Sequence, residues 1–213
     1  NESRERKAEF LQGDMRELPD VGDFDVVTCL GGTFGMFDDE TNHHTLEQMA
    51  SKLKVDGKLV LQLTNRDYLA PRMPCRSWWT GERCMVLDEA SFDGKSSRLE
   101  VKRTMVFEDG RQFEHQFSMR LYALHEVGRM FASVGMRIVD ISGARQTPGL
   151  YYGAASPDLW VGLKPLPLPS KARWATSRRR PPSPWASRKR YGSLRDKRLF
   201  TVSASWKFSA ANL

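Results

Sequence analysis

Phe24-Asp25-Val26-Val27-Thr28-Cys29-Leu30, followed at once by Gly31-Gly32-Thr33-Phe34-Gly35, is the stretch on which the reading of this chain turns. The first part is short, largely apolar and β-branched, which is the pattern of a strand buried on both faces. Beyond the glycines, Asp38, Asp39 or Thr41 can cap a helix that runs to about Leu53, with Leu46, Met49, Ala50 and Leu53 at helical spacing. Lys54-Val55-Asp56-Gly57 closes that helix with a glycine turn. Lys58 to Thr64 (KLVLQLT) is the next strand. Strand, helix, strand with short connections predicts a parallel unit with a right-handed crossover.

Working outward, Ala8 to Leu11 leads into Gly13-Asp14, a short strand ending in an acid. Met15 to Asp23 is a polar loop. After Tyr68, the segment with Pro71, Pro74 and Ser77-Trp78-Trp79 reads as an irregular linker. Three strand-like runs follow: Cys84 to Ala90, Arg98 to Phe107 and Gln112 to Tyr122. Asp93-Gly94 and Asp109-Gly110 separate them, and Asp-Gly between alternating runs signals a hairpin. Leu99, Val101, Met105 and Phe107 share one face, as do Phe113, Phe117, Met119 and Leu121. The expectation is a three-stranded antiparallel meander, residues 84–122, inserted into an α/β chain. A helix carrying Leu124, Val127, Phe131 and Val134 on one stripe then ends at Gly135. Arg137 to Ser142 and Asp158 to Lys164 would form an antiparallel edge of the sheet.

The net charge of +7 over 213 residues hides a split. Residues 166–213 hold 12 Lys/Arg and one acid, Asp196, whereas residues 1–165 hold 21 Lys/Arg and 25 acids. Such asymmetry marks a boundary. The tail is rich in Pro and Arg and lacks sustained periodicity, so it is expected to be disordered, with Leu199 to Trp206 able to pair as a strand. Its basic residues, interleaved with Trp174, Trp185 and Tyr191, could neutralise phosphates and stack on bases; the other reading is a solvated extension with no partner. No apolar run reaches the ~20 residues of a membrane span. The polar first residues are no signal peptide. Three sparse cysteines (Cys29, Cys75, Cys84) fit neither a disulfide framework nor a zinc pair, which makes a reducing, cytoplasmic setting the default.

In an open α/β sheet, ligands bind outside the carboxyl ends of the parallel strands. The candidates there are Asp14 and Met15, Leu30 to Gly35, and Asn65, Arg66 and Tyr68. Asp14 could accept a hydrogen bond from a ligand or serve a turn, and the glycines could admit a ligand or make a tight turn. His43-His44 diverge by about 100° on a helix and make a poor chelate. His115, His125, Glu82, Asp88, Glu89 and Glu100 read as solvated positions, and Trp78-Trp79 as packing between lid and sheet. No metal site, nucleophile elbow or phosphate loop is present.

The order of these segments resembles a known family. Phe10-Leu11-Gln12-Gly13-Asp14-Met15-Arg16-Glu17-Leu18-Pro19, then Phe24-Asp25-Val26-Val27, then Leu53-Lys54-Val55-Asp56-Gly57-Lys58-Leu59-Val60-Leu61 are similar to the latter two-thirds of a class I S-adenosylmethionine-dependent methyltransferase. Val55-Asp56 departs from the family's Pro-Gly. The meander, Ser118-Met119-Arg120-Leu121-Tyr122 and the next helix resemble a small-molecule subgroup with an inserted cap. The resemblance implies a partial Rossmann-like methyltransferase sheet over residues 1–165 and S-adenosylmethionine as cofactor. It implies that Asp14 and Met15 contact adenine, and that Leu30, Gly31, Gly32, Thr33 and Phe34 line the methyl-transfer side. Asn65, Arg66 and Tyr68 would face a small-molecule acceptor under the meander as lid. No individual catalytic residue follows, because methyl transfer rests largely on positioning.

The family's glycine-rich first loop and its ribose-binding acid belong upstream of Ala8. The expectation is therefore an N-terminally truncated chain, lacking the first strand, helix and second strand, that binds cofactor weakly or not at all. The contrasting expectation is a non-catalytic α/β module whose basic tail binds nucleic acid.

Overall fold

The computed structural model describes residues 10–166 and 198–202. Readings that concern the remaining residues, including the basic tail's stretch from 167 to 197, lie outside it.

Strand β1 (Phe24–Cys29) and strand β2 (Leu53–Thr64) pair in parallel, from Val26↔Lys58 to Cys29↔Leu61. Helix α1 (Asp39–Ser51) crosses between them. Asp38 caps it, its carboxylate accepting from the Thr41 N–H at 2.8 Å, which satisfies a donor that the first turn leaves unpaired. The predicted unit is thus present, with one difference. Residues 54–57 are no glycine turn; β2 begins at Leu53, and the ladder jumps from Phe24↔Leu53 to Val26↔Lys58. The extra residues bulge there. Gly57 permits it, since a Cβ at that position would lie 2.9 Å from both the Leu53 side chain and the Lys54 carbonyl.

A short helix α2 (Arg66–Leu69) follows the end of β2. Four antiparallel strands come next, side by side in chain order: β3 (Cys75–Gly81), β4 (Cys84–Asp93), β5 (Arg98–Phe107) and β6 (Gln112–Arg120). The expected meander therefore starts one strand earlier, at the supposed linker. Both prolines precede Cys75, and β3 pairs with β4 from Cys75↔Ala90 to Gly81↔Cys84. The strand escaped the sequence reading because it is a largely exposed edge with no apolar alternation. Trp78 and Trp79 point to opposite faces, and Trp78, 69% exposed, plugs nothing.

Helix α3 (Leu124–Ser133), strand β7 (Met136–Ser142) and strand β8 (Asp158–Pro165) complete the body. A last strand, β9 (Leu199–Val202), returns to it from the tail. The main sheet has the order β7-β8-β2-β1-β9. β8 lies antiparallel between β2 and β7, as the edge prediction required. β9 is parallel to β1, so the strand that the sequence allowed from Leu199 is formed over its described residues. The expected strand before Asp14 is absent over its described part: Phe10 and Leu11 are exposed and unpaired in any ladder, and the segment forms only the small bridge Asp14↔Glu17.

Leu59, Leu61 and Leu63 of β2 meet Leu159, Val161 and Leu163 of β8 on one sheet face, joined by Val27 and Cys29. Leu46 and Met49 of α1 and Val127 and Phe131 of α3 close this core. Each such fully buried side chain contributes about 1.5–3 kcal/mol. The alternate residues Val60, Gln62, Thr64 and Trp160 are only half-buried. No helix among the described residues is long and apolar enough to cross a membrane.

Candidate functional site

The loop after β1 and the antiparallel sheet meet at Gly35. Its φ is +106°, and its carbonyl accepts from the Arg120 N–H at 2.7 Å. A Cβ there would lie 2.4 Å from the Arg120 carbonyl oxygen, so only glycine lets the end of β6 come this close. Arg98 adds a bond from Nη1 to the Phe37 carbonyl at 3.1 Å. Behind the contact, Tyr122 donates to Asp39 at 3.0 Å and accepts from Asn42 at 3.0 Å. Burial, then the Asp39 carboxylate, pushes the Tyr122 hydroxyl far above its ordinary pKa, so it stays a neutral structural tie.

The docking leaves a cavity of about 150 Å³ between Gly31, Gly32, Thr33 and Met36 on one side and Arg103, His115, Phe117 and Met119 on the other. It opens at the carboxyl end of β1, where an α/β sheet takes its ligand. A wider groove of about 710 Å³ lies on the antiparallel sheet, bordered by Arg76, Glu89, Lys102 and Gln116. None of the residues lining that groove belongs to a parallel strand or its end, so position favours the smaller cavity despite its size.

The sheet side of the cavity is built by register. Asp88, Arg103 and His115 stand opposite one another across β4, β5 and β6, on the apolar face. Arg103 donates to Asp88 through Nε and Nη2, both at 2.8 Å, which is the two-pronged geometry that an Arg–carboxylate pair favours. The Asp88 carboxylate raises the guanidinium's pKa further, burial opposing it. The guanidinium also lies 5.0 Å from the Trp79 ring and 5.5 Å from Phe117. His115 stacks between Phe113 and Phe117, with ring centroids 6.5 and 6.0 Å away. Sequence reasoning set Asp88 and His115 aside as solvated. The signal was available: Arg103 and His115 are the polar residues that interrupt the stripes Leu99-Val101-Met105-Phe107 and Phe113-Phe117-Met119-Leu121.

The predicted residues are distributed unevenly around this cavity. Gly31, Gly32 and Thr33 line it. Gly31 and Gly32 have φ of +81° and +65°, and the Gly31 N–H is held by Gln62 Oε1 at 3.1 Å. Thr33 is buried, its hydroxyl donating to the Leu30 carbonyl at 3.3 Å. Phe34 is buried against Tyr122, with centroids 5.9 Å apart, and acts as core. Leu30 is half-buried at the loop's start.

Asp14 and Met15 sit apart on the early loop. Asp14 is closed on Arg16 at 2.6 Å. The Arg16 side chain, then its backbone N–H, holds that carboxyl down to about 2. Met15 packs on the core edge. Asn65 is buried, caps α2 and ties Gly153 and Ser156 through bonds of 2.9 and 2.6 Å. Arg66 lies 5.9 Å from the Phe92 ring, with its Nε buried and without a hydrogen-bond partner. Tyr68 carries the Arg72 guanidinium on its ring at 3.7 Å. Among the described residues, no group of three or more His, Cys, Asp or Glu could hold a metal.

No protein-family profile matches this sequence, and no curated protein matches it. Solved structures do. A S-adenosylmethionine-dependent methyltransferase from Clostridium acetobutylicum superposes with a TM-score of 0.64 at 14% identity, over 76% of this chain and 66% of its own. The CcbJ methyltransferase of Streptomyces caelestis gives 0.61 at 14% identity, over 73% of this chain and 62% of its own. A sugar N-methyltransferase from a Streptoalloteichus species gives 0.51 at 22% identity, over 72% and 61%. The chain therefore spans less than two-thirds of the length of each of these structures. The likeness shows the fold: a Rossmann-like class I methyltransferase architecture with an added antiparallel sheet.

Proposed function

We propose that this chain serves S-adenosylmethionine-dependent methyl transfer to a small-molecule acceptor. The observation that carries the reading is the cavity at the carboxyl end of β1, roofed by the antiparallel sheet in a methyltransferase fold. Residues 1–165 are the methyltransferase-like unit on this reading, and the antiparallel sheet is its lid. The neighbours include an amino pentose methyltransferase solved with S-adenosylmethionine bound and a sugar N-methyltransferase, which supports a small-molecule acceptor. The three cysteines, all free, accord with a reducing, cytoplasmic setting.

Fit decides how much of the site these residues supply. A pocket for a whole cofactor-sized ligand takes roughly 300–1,000 Å³, whereas this cavity has about 150 Å³. It matches a reacting centre, not an entire nucleoside cofactor, so the residues lining it are assigned the methyl-transfer centre and the acceptor side. Bound S-adenosylmethionine supplies an electrophilic methyl group on a sulfonium. Leu30, Gly31 and Gly32 would present backbone to that end. Asp14 and Met15 remain the adenine-side candidates, and Asp14, paired with Arg16, keeps acceptor capacity on its exposed carboxylate. Asn65 would hold the loop around Gly153, leaving Arg66 and Tyr68 at the acceptor's outer edge. His115 is the group placed to accept the acceptor's proton. Arg103, neutralised by Asp88, would orient an acceptor oxygen without adding net charge beside a cation.

The test is titration of the 213-residue chain with S-adenosylhomocysteine, followed by amide and imidazole NMR shifts. Saturable shifts at Gly31, Gly32, Met36 and His115 are expected, even for weak binding. Unmoved signals there at millimolar ligand would overturn the placement.

A further inference from the structure

The main sheet has a feature that the methyl-transfer reading does not use. β1 would be an edge strand, with a row of unpaired backbone groups, were it not for β9. Residues 198–202 run parallel along that edge, with Val26↔Leu199, Thr28↔Thr201 and Cys29↔Val202 in register. The Arg198 carbonyl accepts from the Asp25 and Val26 N–H groups at 3.0 and 3.1 Å, and the Val202 carbonyl accepts from the Leu30 N–H at 3.1 Å. Thr28 donates to the Thr201 hydroxyl at 2.9 Å. Phe200 packs on Phe24, centroids 4.9 Å apart, and Val202 is buried. At the entry, the Arg198 N–H donates to Asp25 at 2.9 Å, Nη2 donates to the Val21 carbonyl at 3.2 Å, and the guanidinium covers Phe24 at 4.8 Å.

We propose that the edge of β1 is a strand-receiving groove and that residues 198–202 of the same chain are its resident ligand. The groove selects an extended segment with a cation over the Phe24 ring and apolar side chains two and four residues later. Arg198, Phe200 and Val202 meet that pattern. Tethering favours the chain's own strand. β8 and β9 are separated by β2 and β1, three inter-strand spacings or about 14 Å. The 31 residues between them, 167–197, can reach at most about 100 Å fully extended, so their number suffices to join the two strands within one chain.

The docking has a consequence at the cavity. β9 runs parallel to β1, so its last carbonyl reaches Leu30, which opens the loop lining the cavity. Occupancy of the groove anchors one side of that loop, and release frees it. This consequence bears on methyl transfer, but the docking does not depend on that reading.

The test uses the full chain carrying Thr28→Cys and Thr201→Cys, oxidised at micromolar concentration and mapped by mass spectrometry. The two hydroxyls already touch, so thiols there can close. A disulfide between positions 28 and 201 within one chain is expected. Its absence overturns the groove, and the same disulfide between two chains overturns the resident ligand in favour of a second copy. Independently, Phe200→Pro removes an N–H that strand alternation turns toward β1. Amide exchange at Val26 and Leu30 is expected to accelerate at least tenfold, with Leu61 and Val161 unchanged. Unaltered exchange at Val26 and Leu30 would refute the proposal. The cysteine pair leaves every ladder bond in place and so reports docking even where the proline variant fails to fold. Neither readout involves cofactor, so either can fail without touching the methyl-transfer reading.

Discussion

Gly35→Ala tests whether Gly35 is required for the close approach of β6 to the loop after β1. At φ +106° a side chain is strained in any surroundings, which costs about 1–3 kcal/mol. The new Cβ would lie 2.4 Å from the Arg120 carbonyl oxygen, a backbone atom that no side-chain rotation can move aside. Relieving the contact means withdrawing the end of β6. Overpacking of this kind costs about 1–3 kcal/mol, and losing the bond from Arg120 N–H to Gly35 adds roughly 0.5–1.5 kcal/mol. The expected loss is about 2.5–7.5 kcal/mol, a large share of a domain's stability. Gly31→Ala is the comparison. Its φ is +81° but its nearest neighbour is 3.9 Å away, so only the backbone cost of about 1–2 kcal/mol applies. Urea unfolding followed by tryptophan fluorescence measures both. A Gly35→Ala loss below about 1 kcal/mol, or equal to that of Gly31→Ala, would refute the argument that Gly35 exists for close approach to the end of β6.

Three further outcomes follow from the geometry. Asp88 and Arg103 have side chains 13% and 27% exposed, so a double-mutant cycle of Asp88→Asn and Arg103→Met should show coupling of about 1–3 kcal/mol, between exposed and buried pairs; coupling near zero would mean that the pair is not formed. Arg16 holds the Asp14 carboxyl at about 2, below the ordinary 3.8, so the stabilisation is fully present above 3.8 and is lost as pH falls through about 2. Carbon-detected NMR should place that midpoint, and Arg16→Gln should return it toward 3.8; an unshifted midpoint in the parent chain would discard the contact. Burial raises the Cys29 thiol's pKa, with the Thr33 hydroxyl opposing, so iodoacetamide at pH 8 should label Cys75 and Cys84 well before Cys29. Equal labelling would show that the end of β1 is open.

Much of the architecture is legible in local pattern. The FDVVTCL run, the capped helix at Asp38 and the KLVLQLT run prescribe the parallel unit because burial and capping are near-neighbour physics. The Asp-Gly turns and period-two stripes prescribe β4, β5 and β6 for the same reason. Tertiary structure decided what depends on partners distant in sequence. β3 carries no apolar alternation and exists because β4 offers it an edge. The segment before Asp14 has a strand-like composition but no ladder to join. Gly35 reads like Gly31 in sequence, and only the approach of Arg120 separates their roles. Asp88, Arg103 and His115 look like scattered polar residues until hairpin register sets them in one row over the loop after β1. Local pattern by itself determined the parallel unit and the antiparallel strands β4 to β6, and composition the basic tail. The cavity, which needs the loop after β1 to meet β5 and β6, and the place of β9 on β1's edge arise from contacts distant in sequence that no local stretch encodes.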